Sequence, residues 1–230
     1  AGFTVYSVDM RGHGDSGPRG DIAYVGQLED DLQDFMQAVR PGSPNTLVGF
    51  SAGGGFAIRV AGGASQALFD NYLFMAPYTS RHAATYRPDA GGWVSVGVPR
   101  LVALSLLNQI GVNRFNHLPV VAFAVNDAPQ AALTPSYAFA LAANFQPHED
   151  WQGDIRGIRA PSAVLDGEDD EVFVAAKYAQ VFAEAGRPDI PVTLVPGTNH
   201  ISLTLAAPAR SAAVDAVVKL DAATSLSTSP

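Results

Sequence analysis

Short apolar runs alternate along the chain with amphipathic stretches, and the runs have the length of buried strands. Turn-forming or polar residues bound each run. The predicted strands are Phe3–Val8, Thr46–Phe50, Asn71–Ala76, Pro161–Leu165 and Val192–Val195. Because helical stretches separate most of them, this order predicts an α/β fold with a mostly parallel, doubly wound sheet.

Amphipathic stretches between these runs predict the helices. In Tyr24–Val39, apolar residues recur at helical spacing and acidic residues occupy the other positions. Further helices are predicted directly after Ser51, over Val172–Ala185 and over Thr204–Leu220. The Ser- and Thr-rich segment after Leu220 is expected to be a tail.

The alternation is interrupted between about Pro77 and Gln152. This segment is rich in Ala, Pro and Asn, and it contains one long apolar stretch, Trp93–Ile110. At 230 residues, the chain is expected to form one compact domain with an insertion. The predicted bounds are a core of residues 1–77 and 153–230 and an insertion of residues 78–152.

The sequence Gly-Phe-Ser-Ala-Gly at positions 49–53 directly follows the strand Thr46–Phe50. A serine between two glycines at the end of a strand is typical of a sharp strand-to-helix turn that exposes a nucleophile. The glycines are needed because side chains there would collide with the neighbouring strand or helix. Ser51 could instead be a helix N-cap, which is a common use of serine. The flanking glycines favour the nucleophile.

Two later loops provide what a serine nucleophile needs. Acidic residues follow the predicted strand that ends near Leu165, and His200 closes the loop after Val192–Val195. Ser51, Asp170 and His200 each lie just past the carboxyl end of a predicted strand, where open α/β sheets place their sites. The pattern therefore predicts a catalytic triad at that edge of the sheet.

The role of each residue follows from proton chemistry. His200 would take the proton of Ser51, and Asp170 would hold the imidazole through its other ring nitrogen. The backbone N–H of Ala52, just after the nucleophile, would donate to the oxyanion. Asp169 remains an alternative to Asp170, because only the register of the loop separates them.

Four motifs together resemble those of a known superfamily. Beside the serine motif these are Asp-x-Arg-Gly-x-Gly-x-Ser at positions 9–16, Gly-x-x-Asp at 167–170, and the loop Pro196–His200. In this order the motifs resemble those of the α/β-hydrolases. Within that superfamily the chain is similar to the serine hydrolases that include monoacylglycerol lipases, lysophospholipase-like esterases and related aminopeptidases.

The resemblance implies an α/β-hydrolase fold in which residues 78–152 form a cap (lid). It implies that Asp9, Arg11 and His13 are structural residues of a loop that lines the site. Members of the superfamily also have strands and a His-Gly oxyanion loop ahead of the Asp-x-Arg-Gly motif. Those N-terminal strands, and the second oxyanion donor, are expected to be missing from this chain.

Charge and composition argue against other classes. A net charge of −8 and the lack of a basic patch exclude nucleic-acid binding. The chain has no cysteine, and no histidines and carboxylates show metal-ligand spacing, so neither a metal nor a cofactor is expected. The Gly-x-Gly-x-x-Gly at 12–17 imitates a dinucleotide-binding motif, but Pro18 interrupts where its helix should begin. No apolar run reaches the ~18 residues of a membrane span, and a cytoplasmic location is expected.

These observations predict a serine hydrolase that cleaves carboxylic esters through an acyl-enzyme. The expected partner is a small-molecule ester or a lipid-like substrate such as a monoacylglycerol or a lysophospholipid. An aminopeptidase or a perhydrolase of the same fold stays open. A catalytically inactive module that binds a small hydrophobic ligand is a further alternative. The missing oxyanion loop favours this alternative.

Overall fold

A computed structural model describes residues 2–88, 92, 94–123 and 134–227. The chain divides into two compact units. The first unit comprises residues 1–32 and 91–145, and the second comprises residues 33–90 and 146–230. The cap role predicted for residues 78–152 stays a prediction.

Strands and helices alternate through much of the chain. The strands are β1 (Thr46–Phe50), β2 (Asn71–Met75), β3 (Val94–Val96), β4 (Pro119–Phe123), β5 (Ser136–Ala138), β6 (Ser162–Gly167) and β7 (Val192–Val195). The α-helices are α1 (Gln27–Val39), α2 (Ala52–Gly62), α3 (Val98–Gln109), α4 (Phe139–Asn144), α5 (Trp151–Gly157), α6 (Tyr178–Glu184), α7 (Ser202–Leu205) and α8 (Ala207–Ser227). Short 3₁₀ helices cover Ala64–Leu68 and Ala175–Lys177.

The second unit is built on a parallel sheet with the strand order β1-β2-β6-β7. Every residue of β2 and of β6 is buried, as the apolar runs predict for the central strands. The register pairs Phe50 with Met75, Met75 with Leu165, and Gly167 with Val195. The carboxyl ends of β1, β6 and β7 therefore lie along one edge of the sheet. This confirms the α/β class.

Helices cover the sheet of the second unit. Helix α2 packs against β1 and β2, and α8 packs against β2, β6 and β7. The buried Asn71 at the start of β2 donates to Asp221 of α8 at 2.8 Å and accepts a bond from Thr224. These polar contacts fix the helix to the sheet where a buried amide would otherwise lack partners.

The first unit contains an antiparallel sheet with the order β3-β4-β5. Its hydrophobic cluster is centred on Leu104 of α3, Val120 of β4 and Phe139 of α4. The apolar stretch Trp93–Ile110 forms β3 and α3, although Trp93 itself lies outside the described residues. Among the described residues, no helix is both long and apolar enough to cross a membrane.

The strand predicted over Phe3–Val8 is wrong. This segment has no regular secondary structure and its side chains are exposed, with Val5 at 82% of its full exposure. A β-rich sequence needs a hydrogen-bonded neighbour to form a strand. Among the described residues, neither sheet includes this segment.

The bounds of three predicted helices also need correction. The first begins at Gln27, three residues later than Tyr24, after a run of turns. The helix predicted from Val172 starts as a 3₁₀ turn at Ala175 and becomes α-helical at Tyr178, because Asp170 binds the backbone N–H groups that follow it. The segment after Leu220 continues α8 to Ser227, because Asp221 and Thr224 fasten it to Asn71 of the sheet.

The fold predicts unequal effects of truncating two apolar residues of neighbouring strands. Leu73 of β2 is fully buried, so Leu73→Ala leaves a cavity and should lower the free energy of unfolding by about 2–5 kcal/mol. Val48 of β1 is 47% exposed, so Val48→Ala should cost less than about 1 kcal/mol. Urea unfolding followed by far-UV circular dichroism checks both. Equal losses would contradict this assignment of the core.

Candidate active site

Ser51 occupies the turn between β1 and α2 with a strained backbone, at φ 55° and ψ −119°. A positive φ is unusual for a residue with a side chain and costs about 1–3 kcal/mol. Hydrogen bonds hold it there. The Ser51 N–H donates to Met75 O at 2.9 Å, and Ser51 O accepts from the N–H groups of Gly55 and Tyr78, both at 3.0 Å. The turn therefore projects the Ser51 side chain from the carboxyl end of β1.

The glycines around Ser51 are required by close approach of the backbone. A Cβ at Gly49 would overlap the carbonyl oxygen of Gly53, and a Cβ at Gly54 would lie 2.8 Å from Cα of Pro77. A Cβ at Gly55 would lie 2.5 Å from the carbonyl oxygen of Tyr78. The strand, turn and helix can pack this closely only because these positions carry no side chain.

The acidic loop after β6 is bonded to the loop after β7. The N–H of Glu168 donates to Val195 O, and the N–H of Asp169 donates to Thr198 O, both at 3.0 Å. The N–H of Asp170 turns back to Gly167 O at 3.3 Å. These backbone bonds join the two loops in one register, which brings Asp170 to His200.

Asp170 is buried, and both of its carboxylate oxygens accept hydrogen bonds. Its Oδ1 accepts from the N–H groups of Val172 at 2.6 Å and Phe173 at 2.7 Å. Its Oδ2 lies 2.7 Å from Nδ1 of His200. Burial would raise the pKa of Asp170, but the hydrogen bonds from His200 and Phe173 outweigh it and hold that pKa below its usual value. Asp170 is therefore a carboxylate.

The imidazole of His200 is 1% exposed and packs against two phenyl rings. The ring centroids of Phe50 and Phe173 lie 4.8 Å and 5.3 Å from that of His200. On the other side of the ring from Asp170, Nε2 lies 3.0 Å from Oγ of Ser51. The imidazole is thus buried beside aromatic rings and has a hydrogen-bond partner at each of its two nitrogens.

The three side chains form one hydrogen-bonded chain. A carboxylate only accepts, so Nδ1 of His200 carries the hydrogen that it shares with Asp170. In the neutral ring Nε2 then has a free lone pair and accepts from the hydroxyl of Ser51. This arrangement can remove a proton from the hydroxyl and stabilise the imidazolium that results.

The backbone N–H of His200 has its own acidic partner. It donates to Oε2 of Glu171 at 3.0 Å. Asp170 and Glu171, which are adjacent in the chain, thus bind the ring and the backbone of one histidine. Sequence reasoning missed Glu171, and it also missed Phe50 and Phe173. For Glu171, the sequence offers one signal of a role at the site, which is its position directly after Asp170.

The structure distinguishes the competing acidic residues of this loop. Asp170 contacts His200, whereas Asp169 and Glu168 are exposed. Asp166 is fully buried within β6 and accepts a bond from the N–H of Gly167 at 2.7 Å. Ala52 is the first residue of α2, where backbone N–H groups have no partner within the helix, and its role as an oxyanion donor stays a prediction.

The other predicted residues belong to the first unit. Arg11 makes a bidentate salt bridge with Asp31, at 2.7 and 2.6 Å. Nε2 of His13 lies 2.7 Å from the hydroxyl of Tyr137, and burial lowers the pKa of His13. Asp9 accepts weakly, at 3.3 Å, from the N–H of Asp15. The structural role of this loop and its position beside the site both stay predictions.

Within the described part of the chain, no three His, Cys, Asp or Glu side chains cluster as metal ligands.

Comparisons with known proteins indicate the family and the fold of the chain. The family model described as Serine aminopeptidase, S33, matches residues 1–204. A search of curated proteins gave no match. The crystal structure of the monoacylglycerol lipase of Paleococcus ferrophilus is similar, with a TM-score of 0.60 and 16% identity over 92% of this chain and 80% of that one.

Two further solved structures are similar. A soluble variant of the monoglyceride lipase of Saccharomyces cerevisiae has a TM-score of 0.64 and 17% identity, over 93% of this chain and 75% of that chain. A putative aryl esterase of Burkholderia cenocepacia has a TM-score of 0.61 and 18% identity, over 93% and 79%. These similarities show the fold, which is that of the α/β-hydrolases.

Replacing Asp170 should make the free energy of unfolding less dependent on pH in the acidic range. The pKa of Asp170 is lowered on folding, so its stabilising effect is present above its usual pKa of 3.8 and is lost as the pH falls through the lower folded value. Asp170→Asn should therefore reduce the free energy of unfolding at pH 7, with the difference narrowing below pH 4.

Urea unfolding of both proteins across this pH range measures the effect. Asp169→Asn, which alters the exposed neighbour, is the matched control and should leave stability within about 0.5 kcal/mol. A difference between wild type and Asp170→Asn that stays constant with pH would contradict the assignment of an ionised, bonded Asp170.

Proposed function

The chain belongs to the family described as Serine aminopeptidase, S33, and on this premise we propose that it is a serine hydrolase that cleaves carboxylic esters through an acyl-enzyme. Membership in a hydrolase family supports hydrolysis in general. The finer proposal is carried by one observation, the hydrogen-bonded chain from Ser51 through His200 to Asp170. A serine with no such partners would be a weak nucleophile.

In the proposed reaction, Oγ of Ser51 attacks the ester carbonyl carbon while Nε2 of His200 takes its proton. Asp170 stabilises the imidazolium. The oxyanion of the tetrahedral intermediate accepts from the N–H of Ala52, at the positive end of α2. His200 returns the proton to the alcohol that leaves. Water, activated by the same imidazole, then hydrolyses the acyl-enzyme and frees Ser51.

We propose a small or lipid-like ester as the substrate, such as a monoacylglycerol or a lysophospholipid. Two of the similar solved structures are described as monoacylglycerol or monoglyceride lipases and a third as a putative aryl esterase. A second candidate comes from the family description, which names a serine aminopeptidase and so favours an amide at a peptide N-terminus. The same triad can attack either carbonyl.

Replacing the nucleophile tests the proposal directly. Ser51→Ala should lower kcat on p-nitrophenyl esters by about 10⁴-fold or more, because neither the imidazole nor the carboxylate can act without the hydroxyl. Ser211→Ala, which changes an exposed serine of α8, is the matched control and should keep full activity. Turnover by Ser51→Ala equal to that of the wild type would refute the serine mechanism.

The substrate class is resolved by the same assay. Esters from acetyl to dodecanoyl and aminoacyl p-nitroanilides are compared by kcat/KM. Preference for esters supports the first candidate, and preference for the anilides supports the aminopeptidase. Labelling of Ser51 by a fluorophosphonate probe, without turnover of any of these, would indicate another substrate. Absence of labelling would favour the inactive ligand-binding module.

Glu171 is proposed as a positioning residue for His200. Its carboxylate binds the backbone N–H of His200, so it holds the loop that carries the imidazole toward Ser51. Glu171→Ala should lower kcat/KM by about tenfold, which corresponds to one charged hydrogen bond.

Conservative replacement separates this role from simple folding. Glu171→Gln can still accept through its amide oxygen and should retain activity within about threefold. Glu168→Ala, in the same exposed loop, should resemble the wild type. Kinetics with the preferred ester and urea midpoints are measured for all three variants. If Glu171→Gln is as impaired as Glu171→Ala, the proposed contact does not position His200.

A further inference from the structure

Asp166 is a second buried acid beside the proposed triad. It is the next-to-last residue of β6, and none of its surface is exposed. Its Oδ1 accepts from the N–H of Gly167 at 2.7 Å. Its Oδ2 is buried and has no hydrogen-bond partner among the described residues. An unpaired buried polar atom is destabilising, and an unpaired buried charge is more so.

The N–H of Asp170 turns back to Gly167 O at 3.3 Å, which brings the Asp170 side chain to the same turn as Asp166. An interaction between the two side chains raises the pKa of Asp166 and lowers that of Asp170. A carboxylate has about four lone-pair positions for acceptance. Asp170 fills three of them with the N–H groups of Val172 and Phe173 and with Nδ1 of His200. One position is left. Two ionised carboxylates cannot bond to each other, but a protonated acid can donate to a carboxylate.

The surroundings determine which acid carries the proton. Asp170 is stabilised as an anion by His200 and by two backbone N–H groups. Asp166 receives only one such bond. Burial, followed by the negative charge of Asp170, raises the pKa of Asp166 to about 8.

The other titratable groups near Asp166 do not reverse this balance. Glu171 in the same loop adds negative charge and raises the pKa of Asp166 further. Tyr178 of α6 is a fully buried phenol whose hydroxyl donates to Pro77 O at 2.8 Å, and burial raises its pKa well above the usual value. His200 is a partner of Asp170, because its Nδ1–H donates to the Asp170 carboxylate.

We propose that Asp166 is neutral and donates a hydrogen bond from Oδ2 to the carboxylate of Asp170. It is a positioning residue, because it acts on Asp170 and through it on His200. The role rests on the proposed function, since orientation of the Asp170–His200 pair matters for activity only if Ser51 is the nucleophile. Asp166 thereby completes the acceptor positions of Asp170 and satisfies its own buried oxygen.

The proposal predicts sensitivity to alkaline pH. When Asp166 loses its proton, two adjacent carboxylates repel each other and Asp170 loses a donor. Because its pKa is raised on folding, the stability that Asp166 contributes is complete below its usual pKa of 3.8 and is lost as the pH rises through about 8. Asp166→Asn removes this titration while its amide N–H₂ can still donate to Asp170.

Fluorophosphonate labelling of Ser51 between pH 6 and pH 10 tests the inference. The wild-type rate should fall above pH 8 by about fivefold or more, whereas Asp166→Asn should show no such fall and should match the wild type within about threefold at pH 7. Asp166→Leu, which has no donor, should be slow at every pH. Glu168→Gln is the control for an exposed acid and should keep the wild-type profile.

An alkaline fall that persists in Asp166→Asn, or that is absent from the wild type, overturns the proposal. A second measurement does not depend on activity. Carbon-13 NMR of the aspartate carboxyl groups, with the Asp166 signal identified by its loss in Asp166→Asn, should show titration near pH 8. Titration near pH 4 overturns the proposal. If the wild type is not labelled at any pH, the proposed function fails while the NMR result still decides the state of Asp166.

Discussion

The hydrogen bond between Asp170 and His200 is the contact on which the rest of the site depends. It is buried, it joins the loops after β6 and β7, and it determines which ring nitrogen carries hydrogen. Without it, the tautomer of the imidazole would not be fixed, and Nε2 would not always be available to accept the hydrogen bond from the hydroxyl of Ser51. A buried carboxylate is expensive, and Asp170 offsets that cost with two backbone N–H groups as well as the imidazole. The buried charge of Asp170 is thus stabilised by three short hydrogen bonds.

The parallel sheet brings these loops together, and each site residue stores some strain or desolvation cost there. Ser51 adopts a positive φ, the imidazole of His200 is almost fully buried, and Asp166 is a fully buried acid. Such costs are typical of functional sites, where the surrounding structure over-determines an unfavourable arrangement. The packed strands β2 and β6 supply that support, since all of their residues are buried.

Several features of the fold and the site were predictable because they depend on local pattern. The strand Thr46–Phe50 and the helix after Ser51 were located from an apolar run and a glycine-flanked serine, and the structure has both. The strand Phe3–Val8 was predicted by the same rule and is wrong, because an apolar run reports β-propensity but not whether a neighbouring strand pairs with it. The extension of α8 beyond Leu220 was also missed, since polar contacts to Asn71 stabilise a segment whose composition resembles a tail.

The sequence by itself determined the four strands of the parallel sheet, the α/β class and the three side chains that the structure joins, because motif spacing and apolar periodicity are properties of the chain. Only the tertiary structure decided that Asp170 and not Asp169 meets His200, since the backbone bonds between two distant loops set that register. It also revealed the roles available to Glu171 and Asp166. These roles depend on contacts between residues of the folded chain. The sequence alone does not show whether a carboxyl group is buried, which groups it contacts or whether it is protonated.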